Sequence, residues 1–288
     1  MKSKFNKVIL FICTLSLLLM TNNKVYADDL DNNSSIDTTI ELYIPGTECL
    51  PDNFRKSTDD ITKNKLYKDI NTTGLNTLNI SGSSQFSHEG FKTLIKSIGK
   101  NYNIIDIDLR QESHGFINGK PINWPRTYSS PQSTLQEITE SENKKLNLIP
   151  IDKPITYFNL PCKTVIPKIV INEETFIKDQ NALYIRFPVI DGSIPTEERV
   201  DDFIKFIKNQ PKNSWLHFHC KAGIGRTTTF MTMYDIYKNG DKVSLDDIIN
   251  RQVALAKMGE DEINSFLSQK RIEFLTDFYS KFSKSNNK

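Results

Sequence analysis

The 288-residue sequence has only four cysteines, and its one long apolar run is shorter than the roughly 20 residues that cross a bilayer. Cys13 lies in that run, which leaves Cys49, Cys162 and Cys220 for the rest of the chain. A disulfide-stabilised fold would have an even and denser set of cysteines. Two alternatives stay open: Cys49 pairs with Cys162 and leaves Cys220 as the free thiol, or all three are free.

The chain also lacks an excess of positive charge once its first residues are set aside. Residues 1–27 have the pattern of a secretory signal peptide, with three lysines, the apolar run Val8–Met20 and small or tolerated residues at positions 25–27. Their removal leaves 33 of the 37 basic residues against 35 acidic ones, which changes the net charge from +2 to −2. We expect a secreted protein, outside the cell or on the exterior of the cell envelope. It should have no stable membrane anchor and no basic surface for nucleic acid.

The rest of the chain predicts an α/β fold that follows a polar, disordered lead-in at 28–45. Prolines interrupt a stretch at about 115–175, where we expect an irregular β-rich insertion. Elsewhere the hydrophobic spacing predicts a central mixed sheet flanked by helices, within one domain over 46–288. The predicted strands are 75–80, 103–109, 182–189 and 215–219, and the predicted helices are 88–98, 196–208, 226–237, 244–256 and 261–282.

The most informative segment is a glycine-bearing loop between a predicted strand and a predicted helix. Such a loop directs successive backbone N–H groups at one point, at the positive end of the helix dipole, and predicts an anion site. The two glycines permit the unusual backbone torsions that the loop needs. We expect a phosphate to bind here, and the loop consists of His219, Cys220, Lys221, Ala222, Gly223, Ile224, Gly225, Arg226 and Thr227.

Three side chains predict that this loop is catalytic. Cys220 stands at the end of the strand and faces the N–H groups, which favours its thiolate as a nucleophile. Arg226 follows six positions later and is suited to bind two phosphate oxygens in a bidentate way. Thr227 is placed to donate a hydrogen bond to the sulfur when it leaves.

Other kinds of site fit the loop less well. A nucleoside triphosphate loop requires Gly-x4-Gly-Lys-Ser/Thr, and a dinucleotide loop requires a third glycine where Thr228 stands. A zinc site at His217, His219 and Cys220 lacks a second ligand pair nearby and would place the cation beside Arg226. An inert buried cysteine leaves the Gly-x-Gly-Arg-Thr context unexplained. We therefore expect no metal and no cofactor.

The pattern His-Cys-x5-Arg-Thr resembles the active-site signature of the protein tyrosine phosphatase superfamily. More closely, the chain resembles the secreted bacterial cysteine phytases of that superfamily, which act on inositol hexakisphosphate. The resemblance rests on segments 51–55, 74–83, 108–116 and 219–227, which occur in the expected order. It implies a protein-tyrosine-phosphatase-like core beside a small partial β-barrel formed by the insertion.

The resemblance also implies a general acid. The family places an aspartate on a mobile loop upstream of the cysteine, between a strand and a helix, and Asp191 fits that position with Gly192 as a hinge. The phytases that this chain resembles usually carry a histidine where Gly192 stands. Lys221 is a second difference, since that position is more often acidic or neutral, and its charge suits a substrate with several phosphates.

A polyphosphorylated substrate needs more cations than the loop supplies. Arg55 matches the Asn-Phe-Arg position of the family and is expected to contact a peripheral phosphate. Asp108 and His114 are expected to brace the loop and the pocket, and His219 to act as a scaffold. The expected substrate-binding residues are Arg55, Lys221, Asp108, His114, Lys270 and Arg271, with Lys56, Arg110 and Lys257 as weaker candidates.

Together these features predict a secreted phosphomonoesterase that removes phosphates from inositol polyphosphates such as phytate through a cysteinyl-phosphate intermediate. One alternative is a secreted protein tyrosine, dual-specificity or phosphoinositide phosphatase, in which case a phosphoprotein is a partner. An alternative of another class is a non-catalytic module that binds a phosphorylated ligand. The presence of Cys220, Arg226 and Asp191 favours an enzyme.

Overall fold

The computed structural model describes residues 39–43, 49–63, 67, 69–124 and 130–283. These residues belong to a unit that extends over 36–288. The predicted signal peptide and most of the predicted lead-in lie outside the described residues. Within those ranges, no helix is both long and apolar enough to span a membrane.

Groups of strands are separated by helices along the chain, and the last four elements described are helices. The strands are β1 (Glu41–Leu42), β2 (Arg55–Lys56), β3 (Ile80–Ser83), β4 (Asn103–Arg110), β5 (His114–Ile117), β6 (Lys120–Asn123), β7 (Ile155–Tyr157), β8 (Leu160–Val165), β9 (Val170–Ile171), β10 (Leu183–Val189) and β11 (Ser214–His219). The α-helices are α1 (His88–Ile98), α2 (Leu135–Asn147), α3 (Glu173–Asp179), α4 (Glu197–Asn209), α5 (Gly225–Asn239), α6 (Leu245–Leu255), α7 (Glu260–Phe266) and α8 (Gln269–Phe282).

The central sheet is mixed, as predicted, with the strand order β10-β4-β11-β3-β2. Strands β10, β4, β11 and β3 are parallel, and the short edge strand β2 is antiparallel to β3. At the carboxyl end of β11, His219 pairs with Asp108 on one side and with Ser83 on the other. The catalytic loop therefore begins between two neighbouring strands, at the sheet edge where α/β proteins bind ligands.

The two faces of β4 differ in chemistry. Ile105, Ile107 and Leu109 point into the larger apolar core, together with residues of β11 and α5. Asp106 and Asp108 alternate with them on the opposite face and are fully buried. Because a buried charge must be paired, this face requires partners from elsewhere in the chain.

The region at 115–175 is built around a second sheet, with the order β1-β6-β5-β9 and antiparallel pairing throughout. Strands β7 and β8 form a separate hairpin. The partial β-barrel implied by the resemblance stays an expectation. Residues 28–45 are not disordered throughout, because Glu41 and Leu42 form β1, and Glu41 pairs with Asn123.

The structure differs from the prediction in several elements. The predicted strand 75–80 is wrong, since Leu75–Thr77 is a single 3-10 turn and β3 begins at Ile80. Helix α2 was not predicted, because the surrounding prolines obscured the helical segment between Pro131 and Pro150. Its start is a capping box in which Thr134 and Glu137 exchange hydrogen bonds.

The last predicted helix, 261–282, is two helices. Helix α7 ends at Phe266 and α8 begins at Gln269. The guanidinium of Arg271 donates from Nη1 to the carbonyl oxygens of Ser265 and Phe266, at 3.1 and 2.8 Å. These bonds satisfy carbonyls that a helix leaves unpaired at its carboxyl terminus, so the break is stabilised from within α8.

Candidate active site

The sulfur of Cys220 lies at the centre of the loop between β11 and α5. The side chain is 3% exposed. Its Sγ accepts hydrogen bonds from the backbone N–H of Gly223 and from the hydroxyl of Thr227, both at 3.2 Å. The structure thus brings Thr227 to the sulfur as the sequence predicted.

These contacts favour the thiolate. Burial alone would raise the pKa of the Cys220 thiol, but the charge of Arg226 and the hydrogen bonds from Thr227 and Gly223 outweigh it and lower this pKa below its ordinary value. Helix α5 begins without a side-chain cap, so its first N–H groups are available to an anion. The loop thus combines a thiol of lowered pKa with backbone N–H groups that are suited to bind an anion.

Gly223 is required by the loop for two reasons. Its φ is +79°, and a Cβ at this position would lie 2.3 Å from the backbone nitrogen of Ser84. Gly225 does not have a positive φ, and its Cβ would meet only Arg271 Nη2, at 4.0 Å. The unusual torsion that the sequence predicted is therefore confirmed at Gly223 and is not found at Gly225.

Arg226 is held in place by a carboxylate that the sequence analysis did not assign. Glu112 accepts from both terminal nitrogens of the guanidinium, with distances of 2.6 Å from Nη1 and 2.9 Å from Nη2. Nη1 also donates to the carbonyl of Val189 at 2.9 Å. Burial opposes ionisation of Glu112, but Arg226 and Arg110 hold its pKa well below the usual range. In the sequence, Glu112 is marked only by its position two residues after Arg110, the last residue of β4. This spacing does not predict a contact with Arg226, which is distant in the sequence.

Asp191 lies at the rim of the site, on the segment that follows β10. Its side chain is 78% exposed, and Oδ1 lies 3.0 Å from Arg226 Nη2. Gly192 follows with a φ of +75° and has no atom within 4 Å of the position of a Cβ. The next residues line a cleft of about 290 Å³ that also includes Lys270. The structure therefore brings the predicted acid, an open hinge position and an exposed lysine to one side of the loop.

Arg55 does not lie at the rim, where a peripheral phosphate contact was expected. It is 1% exposed and lies beneath the loop. Nη1 donates to the carbonyls of Asn53 and Gly223 at 3.0 and 2.8 Å, and Nη2 donates to the hydroxyl of Thr228 at 2.8 Å. Because these bonds engage both terminal nitrogens and the side chain is buried, Arg55 positions the loop and is not accessible to substrate.

A buried cluster of carboxylates and histidines lies behind the nucleophile. His219 Nε2 lies 2.7 Å from Glu173 Oε1 and 3.6 Å from Asp106 Oδ2. Burial would lower the pKa of His219, but the Glu173 and Asp106 carboxylates raise it well above the ordinary value. Burial raises the pKa of Asp106 to about 8 against the charge of His219. The environment thus favours a protonated Asp106 beside an ionised Glu173, whose pKa is held well below the ordinary value by His219 and His114 against the effect of burial. This arrangement fits the expected scaffold role of His219.

Asp108 and His114 belong to the same buried face and do not reach the surface. Asp108 accepts from Tyr184 Oη at 2.8 Å and lies 2.9 Å from Arg186 Nε. The backbone nitrogen of His114 donates to Glu142 at 2.9 Å. Burial opposes protonation of the His114 ring, yet the carboxylates around it raise its pKa well above the ordinary value. The bracing role expected for both residues is consistent with these contacts, whereas direct contact with substrate is not.

The buried groups form a continuous series from one end of the loop to the other. Glu173 accepts from Gln85 Nε2 at 2.6 Å, and Gln85 Oε1 accepts from Arg110 Nη1 at 2.8 Å. Arg110 Nε donates to Glu112 at 2.9 Å, and Glu112 binds Arg226. Glu173 also contacts His219, so this series links the residue before the nucleophile to the arginine after it.

The other residues predicted to bind phosphate or substrate are partly exposed lysines, loop positions and one buried arginine. Lys221 is 36% exposed at its side chain and lies 3.5 Å from Glu41, and Lys270 is exposed beside the acid segment. The carbonyl of Ala222 accepts from Asn53 at 2.9 Å, and Ile224 directly precedes α5. Arg271 is buried against the end of α7, away from the exposed position expected for a substrate contact.

One cluster in the described part of the chain has the residue types of a metal site. Asp106, Glu173 and His219 bring potential ligand atoms within 4.8 Å of one another. Two ligands on one tetrahedral zinc ion lie about 3.3 Å apart. The 2.7 Å between His219 and Glu173 is shorter than that and suits a shared proton, so the geometry is that of an ion pair. Cys49, Cys162 and Cys220 are all free thiols in the structure.

Comparison with known proteins agrees with this arrangement. A family model described as PTP-like phytase, inositol hexakisphosphate, matches residues 159–238. The PTP-like myo-inositol phosphatase from Mitsuokella multacida, solved in complex with myo-inositol-(1,3,4,5)-tetrakisphosphate, is 31% identical, with a TM-score of 0.73 over 84% of this chain and 44% of that one. A PTP-like phytase from Bdellovibrio bacteriovorus is 30% identical, with a TM-score of 0.66 over 85% of this chain and 89% of that one.

A bacterial effector protein is also similar in sequence. The effector protein hopD2 of Pseudomonas syringae pv. tomato is 29% identical over 217 residues, which are 70% of this chain and 46% of hopD2. The chain thus spans less than half of the length of hopD2 and of the Mitsuokella protein. The Bdellovibrio likeness, in contrast, extends over nearly the whole of both chains. With its mixed sheet and its cysteine–arginine loop, the chain belongs to the family of PTP-like phytases.

Proposed function

We propose that this protein is a secreted cysteine-dependent phosphomonoesterase that removes phosphates from inositol polyphosphates. The observation that supports the chemistry is the sulfur of Cys220, which accepts two hydrogen bonds beside an arginine fixed by Glu112. Support for the substrate class comes from membership of the family and from the inositol tetrakisphosphate complex of the Mitsuokella relative. Secretion is supported by the amino-terminal sequence pattern.

The first step forms a sulfur–phosphorus bond and breaks the phosphorus–oxygen ester bond. The Cys220 thiolate attacks in line, while Arg226 and the loop N–H groups bind the non-bridging oxygens. Asp191 donates its proton to the departing alcohol oxygen. The product of this step is a cysteinyl phosphate and a free hydroxyl on the inositol ring.

The second step hydrolyses the cysteinyl phosphate. A water molecule attacks the phosphorus and transfers a proton to the deprotonated Asp191. The sulfur–phosphorus bond breaks, and the hydroxyl of Thr227 stabilises the departing thiolate through the hydrogen bond that it makes at 3.2 Å. Inorganic phosphate leaves, and the enzyme returns to its starting state.

Asp191 must leave Arg226 before a phosphate is bound. In the structure its carboxylate lies 3.0 Å from Arg226 Nη2, a nitrogen that also donates to Glu112 at 2.9 Å. An incoming phosphate is also negatively charged, with a greater charge and more oxygens, so it displaces the carboxylate from the guanidinium. The exposed position of Asp191 and the torsional freedom of Gly192 permit this movement.

The test is phosphate release by the mature chain, without added metal, from inositol hexakisphosphate and from a phosphotyrosine peptide at matched concentrations. The proposal expects a clear preference for the inositol substrate. Cys220→Ser should abolish turnover and retain binding of inorganic phosphate, since the anion site is made by the backbone and Arg226. A preference for the peptide would identify a secreted protein phosphatase, and turnover by the serine variant would remove Cys220 from the mechanism.

A further inference from the structure

The amino-terminal strand β1 places an acidic residue against the catalytic loop. Glu41 Oε2 lies 3.5 Å from Lys221 Nζ, with side-chain exposures of 20% and 36%. Lys221 directly follows Cys220, so this ion pair is formed by a residue of the candidate phosphate-binding loop. The Glu41 carboxylate is unexpected beside a site for polyanions, because its negative charge repels them.

Both members of this ion pair are fixed by their surroundings. Glu41 pairs with Asn123 in the second sheet, and Asn123 Nδ2 donates to Glu41 Oε2 at 3.0 Å. The backbone carbonyl of Lys221 accepts from the backbone nitrogen of Gln85 at 3.1 Å. The contact therefore joins two rigid elements and is not an accidental meeting of two mobile surface side chains.

The end of β1 lies close to the nucleophile. Tyr43, two residues after Glu41, is anchored by a backbone hydrogen bond to Pro121 at 3.0 Å and is half-buried. Burial raises the pKa of Tyr43, the hydroxyl of Ser84 lowers it, and the charge of Cys220 is among the influences that raise it. The phenol thus lies within electrostatic reach of the thiolate. The residue directly after β1 is therefore near the loop.

We propose that Glu41 is a specificity-determining residue that limits how strongly the site binds substrates with several phosphates. With one phosphate bound in the loop, Lys221 stays paired with Glu41. A second phosphate on the same ring competes with Glu41 for Lys221, and it also experiences the negative charge that Glu41 retains. This inference rests on the proposed function, because it assigns the same loop a polyphosphorylated substrate.

The change Glu41→Gln removes the charge and keeps an oxygen that accepts from Asn123. Loss of one rim charge near a bound polyanion corresponds to about a three- to tenfold change in affinity at physiological ionic strength. Inorganic phosphate, which occupies the loop alone, should change much less. The expected result is therefore a selective gain for inositol hexakisphosphate over inorganic phosphate.

The experiment measures dissociation constants by calorimetry in the Cys220→Ser background, with glutamate or glutamine at position 41. The ratio of phosphate to inositol hexakisphosphate dissociation constants should rise about three- to tenfold in the glutamine variant, and the gain should shrink at 0.5 M salt, where the Debye length falls to roughly 4 Å. Adding Lys221→Gln should remove most of the gain. The matched control is Asp152→Asn, which removes the charge of an exposed carboxylate that is paired with Lys168. Asp152 has a positive φ, which asparagine tolerates, so the backbone should not change.

The possible outcomes distinguish the role of Glu41 from the proposed enzymatic function. An unchanged ratio, an equal gain for both ligands, or an equal gain in the Asp152 control overturns the role of Glu41. If neither the glutamate nor the glutamine form of the Cys220→Ser protein binds inositol hexakisphosphate, the role of Glu41 is overturned as well. If the ligand binds and the ratio rises, but the wild-type chain releases no phosphate from it, the role of Glu41 stands and the proposed enzymatic function fails.

Discussion

Replacing Glu112 with glutamine tests whether the carboxylate that holds Arg226 in place is needed for catalysis. Glu112 accepts three charge-assisted hydrogen bonds, two from Arg226 and one from Arg110 Nε, at 2.6, 2.9 and 2.9 Å. Glutamine has one carbonyl oxygen and one NH₂ group, so one guanidinium nitrogen would face a donor. The substitution preserves shape, removes the charge and leaves a buried arginine with a mismatched neighbour.

The expected cost follows from these contacts. Removing one partner of a buried ion pair destabilises a protein by about 3–5 kcal/mol. Arg226 keeps its bond to Val189 and its contact with Asp191, which places the expected loss at the lower end, about 3 kcal/mol. For catalysis, a misplaced oxyanion donor costs about 10²- to 10³-fold in kcat.

Steady-state kinetics and phosphate inhibition together test this reasoning. The kcat for inositol hexakisphosphate and for an aryl monophosphate should fall by the same factor, because both reactions use Arg226. The inhibition constant for inorganic phosphate should rise in parallel, and Glu112→Asp should recover part of both losses. If Glu112→Gln melts at a lower temperature but keeps its kcat and its phosphate inhibition, Glu112 has only a structural role and the reasoning fails.

Three further predictions use other parts of the site. Asp191→Asn should slow an alkyl phosphate about 10²-fold or more, and an aryl phosphate with a good leaving group far less, in parallel kcat measurements; equal losses would remove it as the acid. Asp106 and His219 both have raised pKa values in the folded protein, so between about pH 6.5 and 8 they keep protons that the unfolded chain releases. The melting temperature should therefore fall as the pH rises through this range. The substitution Asp106→Asn should make the fall smaller. Arg55→Met leaves the carbonyl of Gly223 and the hydroxyl of Thr228 unpaired, and denaturant unfolding should show a loss of about 2–4 kcal/mol. A loss below 0.5 kcal/mol would mean that Arg55 does not brace the loop.

The geometry of the candidate catalytic loop was predictable because the residues that determine it are contiguous. Cys220, Gly223, Arg226 and Thr227 lie within eight positions, and a strand before them and a helix after them fix their relative geometry. Helix α4 was predictable for the same reason, since Thr196 caps it and its acidic first turn follows directly. Local chemistry was sufficient wherever the partner is close in sequence.

The support of the loop was not predictable, because it comes from distant segments. Arg55 lies 168 positions from its acceptor Gly223, and Glu112 lies 114 positions from Arg226. An arginine that follows Asn-Phe has the same local sequence whether it faces solvent or the underside of a loop. Strand β1 was missed for a related reason, since two residues within a polar segment acquire a strand conformation only by pairing with β6.

The number of arginines overstates the positive charge that this pocket offers to a substrate. All seven arginines within the described ranges are buried. Arg55 and Arg186, for example, direct their N–H groups at carbonyls and carboxylates of the protein, and binding a ring phosphate would break those bonds. Within the described ranges, we therefore expect the peripheral contacts other than Arg226 to come from lysines such as Lys221 and Lys270. A lysine is a flexible point charge without the bidentate geometry of a guanidinium. A pocket of this kind should discriminate substrates by how many phosphates they carry more than by the arrangement of those phosphates on the ring.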